Sequence, residues 1–250
     1  EKETQTRDFV TKEIKEFFNP PINKTMKSHP WRKIFRLGSR LTMAVLLISA
    51  TSCSERETAG TDYTQFVNPL IGTGGHGHTF PGPVVPHGMV QPGPDTRLDG
   101  WDSCSGYYYN DSTINGFSHN RLSGTGCCDY GDVLLMPTVG EQCIGTEEPT
   151  GQQMPYCSSF SHDDEVAVPG YYSVYLSRYG VRAELTATCR AAIHRYTYPA
   201  TSGAGMIFDL DYSLQRQTNR DMLIEQVNDS TLRGRKRTAY WAPDQPVCFY

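Results

Sequence analysis

The residue types most able to do chemistry fall between positions 68 and 137. His76 and His78 stand one residue apart, a spacing that lets two imidazoles on an extended segment face one ion, and Cys127 and Cys128 follow further on. A transition-metal site normally announces itself through three or four ligands in a recognisable pattern, and neither CxxC nor HExxH is present, so no metal ligands are assigned. Gly72-Thr73-Gly74-Gly75 superficially resembles a phosphate loop, but it lacks GxxxxGK[ST] and no helical pattern follows it. Its glycines either make a plain turn or let the backbone come close to a ligand. Ser123 lacks the Gly-x-Ser-x-Gly elbow that would expose a nucleophile. Any two of Asp95, Asp99, Asp129 and Asp132 could form an acid–base pair on spacing alone, but turn-capping is the simpler expectation. Asp209-x-Asp211 reads in the same way, as turn-forming acids at a strand end.

The elements that must position these groups are strands. From Tyr63 onward Gly and Pro interrupt every few residues, and no amphipathic stretch reaches helix length. Tyr172, Val174 and Leu176 alternate with other residues, and Tyr179-Gly180 breaks the run. Val181, Ala183, Leu185, Ala187 and Cys189 then alternate with polar neighbours, which predicts a half-buried hairpin. Strands are also predicted at Val133–Pro137, Ala192–Tyr198, Gly205–Leu210, Met222–Val227 and Val247–Tyr250. The fold class expected is all-β, an antiparallel β-sandwich. No closing turn follows Val247–Tyr250, so the chain is expected to stop inside a domain.

The 250 residues carry a net charge of −4, unevenly spread: +5 over residues 1–52 and −9 over residues 53–250, where Lys236 is the only lysine. So acidic a body is a poor polyanion binder, which sets nucleic acid aside. Residues 1–25 read as a disordered upstream extension without function. Lys27, Arg32, Lys33, Arg36 and Arg40 precede the apolar run Leu41–Ala50, which is too short to span a bilayer. Ala50-Thr51-Ser52-Cys53 then forms a loose lipobox. Residues 26–52 are read as a lipoprotein signal with Cys53 lipidated, a membrane anchor in the periplasm or on the outer membrane. The alternative is a plain secretory signal with an incidental cysteine. Residues 53–62 form a linker and 63–250 the domain. Cys143 and Cys157 flank a Gly/Pro-rich loop and are the expected disulfide, although the count of eight cysteines leaves connectivity open.

An ordered series of motifs goes further. Asn68-Pro69-Leu70-Ile71-Gly72-Thr73-Gly74 leads into Gly75-His76-Gly77-His78-Thr79-Phe80-Pro81-Gly82. Pro86-His87-Gly88-Met89, Ile114-Asn115-Gly116-Phe117-Ser118-His119, Arg121-Leu122-Ser123-Gly124-Thr125-Gly126 and Asp129-Tyr130-Gly131-Asp132 follow in order, with Phe208-Asp209-Leu210-Asp211 further on. Each piece is weak alone, but their order over nearly 190 residues resembles the N-terminal part of glycoside hydrolase family 92, exo-acting α-mannosidases common in Bacteroidetes. The resemblance implies an N-terminal β-sandwich followed by a helical barrel, inversion at the anomeric centre, and a requirement for Ca²⁺ bound mainly by the barrel. It also implies that the catalytic acid and base lie beyond Tyr250, so that the chain alone is inactive on its mannose-containing glycans, whether N-glycans or yeast mannan, with α-1,2 linkages expected. What remains for this domain is to complete the mannose pocket.

Within that reading Trp101 is the expected sugar platform, since an indole offers a flat apolar face and one N–H donor. Asp102 and Cys104 line the same turn. His76 is expected as a pocket hydrogen-bonder, and Gly74 and Gly75 as backbone lying close to the sugar. His119 and Arg121 are donors to sugar hydroxyls, unless Arg121 only holds its loop by pairing with Asp129 or Asp132. The rival reading is a non-catalytic carbohydrate-binding or cell-surface structural β-sandwich.

Overall fold

A computed structural model describes residues 62–142 and 149–250. The leader, the linker and Cys143 lie outside the described residues, and Cys157 carries a free thiol. Every strand pairing among the described residues is antiparallel, and none of these residues is in an α-helix.

Four strands, β1 (Gly93–Asp95), β3 (Gly116–Ser118), β4 (Leu134–Val139) and β10 (Ala204–Asp209), form one sheet in the order β1-β3-β4-β10. A second sheet is a meander of β6 (Val166–Val168), β7 (Tyr171–Leu176), β8 (Val181–Ala187) and β9 (Ala192–Thr197). The short pair β2 (Thr113–Ile114) and β5 (Ser158–Ser159) lies beside them. Phe117, Leu134, Met136 and Ile207 from the first sheet and Tyr172, Val174, Leu176, Val181, Ala183 and Leu185 from the second belong to one buried apolar cluster. This is the expected sandwich, and alternation predicts its members because one face of each strand is dry and the other wet. The hairpin turns at Gly180, whose φ of +65° favours glycine and whose N–H donates to Leu176 O at 2.8 Å. The alternation in β8 ends earlier than the sequence pattern: Thr188 N–H donates to Ala191 O, the chain turns, and Cys189 is exposed.

The third sheet, β11 (Thr218–Asn228), β12 (Thr231–Ala239) and β13 (Gln245–Phe249), is of another kind. Its hairpin forms at Asn228, whose Oδ1 accepts from Ser230 N–H at 2.9 Å. β12 escapes the sequence analysis because Thr-Leu-Arg-Gly-Arg-Lys-Arg-Thr-Ala offers no apolar alternation. β11 is exposed along nearly all its length, so the sheet contributes little apolar burial. Polar anchors hold it instead. The Lys236 ammonium, completely buried, lies 2.8 Å from Asp132 Oδ1 and donates to Tyr212 O at 2.8 Å. Gln217 and Gln245 donate their amides to the two oxygens of Asp129 at 2.8 and 3.0 Å. The one lysine of the acidic body is therefore a structural ion-pair partner.

A histidine pair joins the first two sheets. His119 Nδ1–H donates to Val133 O at 2.6 Å, and its ring stacks on His194 of β9 with centroids 4.9 Å apart. Val133, a β-branched residue, takes φ +57° to present that carbonyl. Burial drives His119 down to about 4, with Arg121 adding to the fall and the Val133 bond opposing it; burial and then His119 push His194 well below the ordinary range.

Two outcomes are expected. Lys236→Met leaves Asp132 buried without its cation and should cost about 3–5 kcal/mol, whereas the double change Lys236→Met/Asp132→Leu should recover most of that loss. Urea unfolding of the wild type, the single variant and the double variant measures this; a Lys236→Met protein as stable as the wild type refutes the anchor. Below the ordinary histidine pKa of 6.5 the unfolded chain binds protons that folded His119 refuses until about 4. Stability should therefore be complete above about 6.5 and fall by about 3 kcal/mol as the pH drops to 4. His119→Asn, which keeps a donor for Val133 O, should reduce this dependence in thermal melts, leaving the part due to His194; unchanged curvature would exclude His119 as a source.

Candidate functional site

The glycine-rich loop folds back on itself. Thr79 N–H donates to Gly72 O at 3.2 Å and Thr79 Oγ1 to Ile71 O at 2.9 Å, so the segment 72–79 is a closed turn. A Cβ on Gly77 would stand 2.2 Å from Gly72 O, so the turn closes only with glycine there. The closure carries His76 and His78 to the Asp99–Cys104 segment. There Gly100, at φ +114°, starts a short 3₁₀ turn over Trp101–Ser103. His76 Nδ1 lies 2.5 Å from Asp102 Oδ1, and the His78 ring meets Trp101 edge-on with centroids 4.8 Å apart. The turn after Arg121 completes the arrangement: Gly124 N–H donates to His78 O at 2.6 Å. A Cβ on Gly126 would come within 2.7 Å of the Trp101 ring and 3.0 Å of His78 Nδ1. Three separate glycine-bearing loops thus hold one histidine–tryptophan contact.

Trp101 keeps 62% of its surface exposed. It lines a cleft of roughly 300 Å³ together with Tyr240 and Trp241, also exposed, and with Cys104, Cys127, Cys128 and Gln215. Tyr240-Trp241 follows β12 directly. The adjacent aromatics were the available signal, and they went unread because β12 itself was. Burial raises the thiols of Cys104 and Cys127 and pushes Cys128 up to about 12, so the sulfurs are neutral near pH 7 and offer no nucleophile. What the cleft presents is two indoles and a phenol, thiols in its lining, and the His76–Asp102 pair beside Trp101. That suits a ligand with an apolar face and several hydroxyls.

Of the residues expected to touch a ligand, Trp101 and Cys104 line the cleft, Asp102 and His76 sit beside Trp101, and Gly74 and Gly75 belong to the loop that carries His76. His119 and Arg121 are elsewhere. His119 spends its Nδ1–H on Val133 O, as described above. The Arg121 side chain is fully enclosed, and its partner is Asp95 at 2.8 Å rather than Asp129 or Asp132. Its remaining N–H groups donate to the carbonyls of Gln91, Gly93, Pro94, Ser105 and Ser118 and to Ser118 Oγ. No donor is left for a hydroxyl. The carboxylates are equally committed. Asp95 faces Arg121, Asp129 two glutamine amides, Asp132 Lys236, and Asp99 accepts from Gln152 at 2.6 Å. Asp209 caps its turn by accepting from the Asp211 and Tyr212 N–H groups. Buried Glu165 accepts from Tyr107 and Tyr172 and pairs with His162 at 2.6 Å. Burial lifts the Asp95 carboxyl above its ordinary range, with Arg121 opposing, in a place no substrate reaches.

The family model of the glycosyl hydrolase family 92 N-terminal domain matches residues 66–250. An uncharacterized secreted glycosidase of the fungus Arthroderma benhamiae is 31% identical over 180 residues, covering 70% of this chain and 21% of its own length. Among solved structures, a family 92 α-mannosidase of Bacteroides thetaiotaomicron in complex with mannoimidazole superposes with a TM-score of 0.68 at 41% identity, over 74% of this chain and 24% of the other. An inverting mannosidase of the same family from Bacteroides thetaiotaomicron VPI-5482 gives 0.56 at 29% identity, over 71% and 22%. The chain thus spans about a quarter or less of the length of these relatives. A match over residues 66–250, on an all-β fold with the expected sandwich and motif order, places the chain in glycosyl hydrolase family 92 as a bearer of its N-terminal domain.

Proposed function

We propose that this domain forms one wall of the substrate pocket of a secreted, inverting exo-α-mannosidase and that the catalytic carboxylates come from another part of the protein. The observation that carries the reading is Trp101: an indole fixed edge-on by His78 yet exposed, beside a donor–acceptor pair made by His76 and Asp102. An aromatic face takes the C–H side of a pyranose, and the polar pair takes its hydroxyls.

The division of labour follows from the carboxylates. Inversion needs a protonated acid and a base about 6.5–9.5 Å apart with a water between them. Asp95, Asp99, Asp129, Asp132 and Glu165 are each held by a cation, an amide or phenols, and Asp102 is bonded to His76. The chain by itself is therefore read as inert, with mannose pressed against Trp101 while acid and base act from the other side. A calcium requirement belongs to the same reading, but the residues here do not fit that ion. Ca²⁺ takes six to eight oxygens, and the three-residue cluster found among the described residues offers two imidazoles and one carboxylate. Calcium is thus assigned to residues other than those described. Export by the 26–52 segment, a lipid anchor on Cys53 facing the periplasm or the outer surface, and a preference for α-1,2-linked mannose in N-glycans or yeast mannan complete the proposal.

The full-length protein should release mannose from α-1,2-mannobiose and lose that activity in EDTA, while the 250-residue chain alone shows none. Trp101→Ala in the full-length protein should lower kcat/KM at least about 10-fold, mainly through KM, equivalent to about 1.4 kcal/mol of lost contact. Turnover by the chain alone, or a Trp101→Ala enzyme with unchanged KM, contradicts the assignment.

A further inference from the structure

We infer that His76, His78 and Asp102 form a binding site for one divalent transition-metal ion, of the zinc or cobalt class, at the edge of the cleft. One ligand atom from each of the three lies within 4.8 Å of the other two. Around a tetrahedral ion with bonds of about 2.0–2.1 Å, ligand atoms stand roughly 3.3 Å apart, so the cluster is near the right size. The His76–Asp102 contact, at 2.5 Å, has only to open slightly as the proton between them gives way to the ion.

His78 supplies the second, independent observation. Its side chain is more than nine-tenths buried, yet its Nε2 has no hydrogen-bond partner. A buried ring nitrogen left bare is destabilising, and a metal bond there would remove that cost. Its ring is placed with care: φ is +58°, the carbonyl accepts from Gly124, and Trp101 and Gly126 close on its sides. So much constraint on a residue whose nitrogen bonds nothing is the pattern of a ligand held ready. His76, by contrast, has a side chain 78% exposed and can swing onto the ion.

The donor set selects the metal. Two neutral imidazoles and one carboxylate favour zinc, cobalt, nickel or copper over calcium and magnesium, which prefer oxygen alone. The spacing His-x-His with Asp102 twenty-four residues after His78 matches no common motif, because the glycine turn and the 3₁₀ turn, not a single element, bring the three together. Three protein ligands leave a position open towards solvent, where water or a hydroxyl binds. The site needs only the fold of this domain, but it shares His76 and Asp102 with the proposed pocket: with an ion bound, a sugar hydroxyl would meet that open position rather than the two side chains directly.

The test uses the full-length protein without a histidine tag, stripped by chelator. Titration with Zn²⁺ should show one site whose affinity falls at least about 100-fold in His76→Ala and in Asp102→Asn, more than loss of an outer-shell partner typically costs. Bound Co²⁺ should give the intense visible bands of a tetrahedral centre, and spin-echo modulation of bound Cu²⁺ should count two imidazoles. Millimolar Ca²⁺ should not displace the zinc. His76 is exposed, so His76→Ala tests the site without threatening the fold. Absence of binding, binding that survives both substitutions, or displacement by Ca²⁺ overturns the proposal. Each of these readouts is independent of mannose release, so the site can fail while the glycosidase reading stands, and the reverse.

Discussion

The Arg121 guanidinium is enclosed on every side, and the front of the domain is organised by what it holds. Its N–H groups gather carbonyls from residues 91–94, 105 and 118, its charge meets Asp95, and its plane lies 4.6 Å over the Phe80 ring. These segments are long and poor in regular pairing. An enclosed cation that loses water must be repaid by hydrogen bonds in full, so each carbonyl has one permitted place. Gly106 shows how tight the arrangement is, since a Cβ there would sit 2.1 Å from Asp95 Oδ1. Residues 99–104, which carry Trp101, Asp102 and Cys104, run between two of the segments so fixed.

A second enclosed charge performs the same office for the third sheet. With almost nothing of β11 buried, its apolar side chains included, the sheet is joined to its own unit through Lys236, Asp132 and the Asp129–glutamine bonds. This matters for the cleft because Trp241 sits just past β12 while Trp101 belongs to the loops gathered by Arg121. The two aromatic walls thus rest on two polar anchors rather than on one apolar core. Polar anchors demand exact geometry where apolar contact tolerates sliding, which suits a wall that must face a ligand in a set orientation.

Committing the carboxylates to these anchors has a chemical consequence. A domain this acidic looks well stocked with acid–base residues, yet its buried carboxylates are spent on cations, amides and phenols. The cleft is left with aromatic rings, neutral thiols and the Gln215 amide, with one histidine–aspartate pair beside it. Such a surface binds and orients; for acid–base chemistry on a sugar it relies on groups outside the described residues.

Much was legible along the chain. The sandwich meander was readable because alternation at Tyr172–Leu176 and Val181–Leu185 is a local record of which face is dry, and the motif series from Asn68 to Asp132 marked the family. Trp101, Asp102, His76 and Cys104 are expected at the pocket within the family resemblance, and the fold gathers them at or beside one cleft. The partners could not be read along the chain. Arg121 meets Asp95 rather than Asp129 or Asp132, β12 is a strand in spite of its charges, Trp241 lines the same cleft as Trp101, and His78 joins His76 and Asp102. Sequence by itself determined the strands and the inventory of reactive groups, since both follow from neighbouring residues. Tertiary structure alone decided which of those groups are spent and which stay free, because a buried charge takes its partner from whatever the fold brings within about 3 Å.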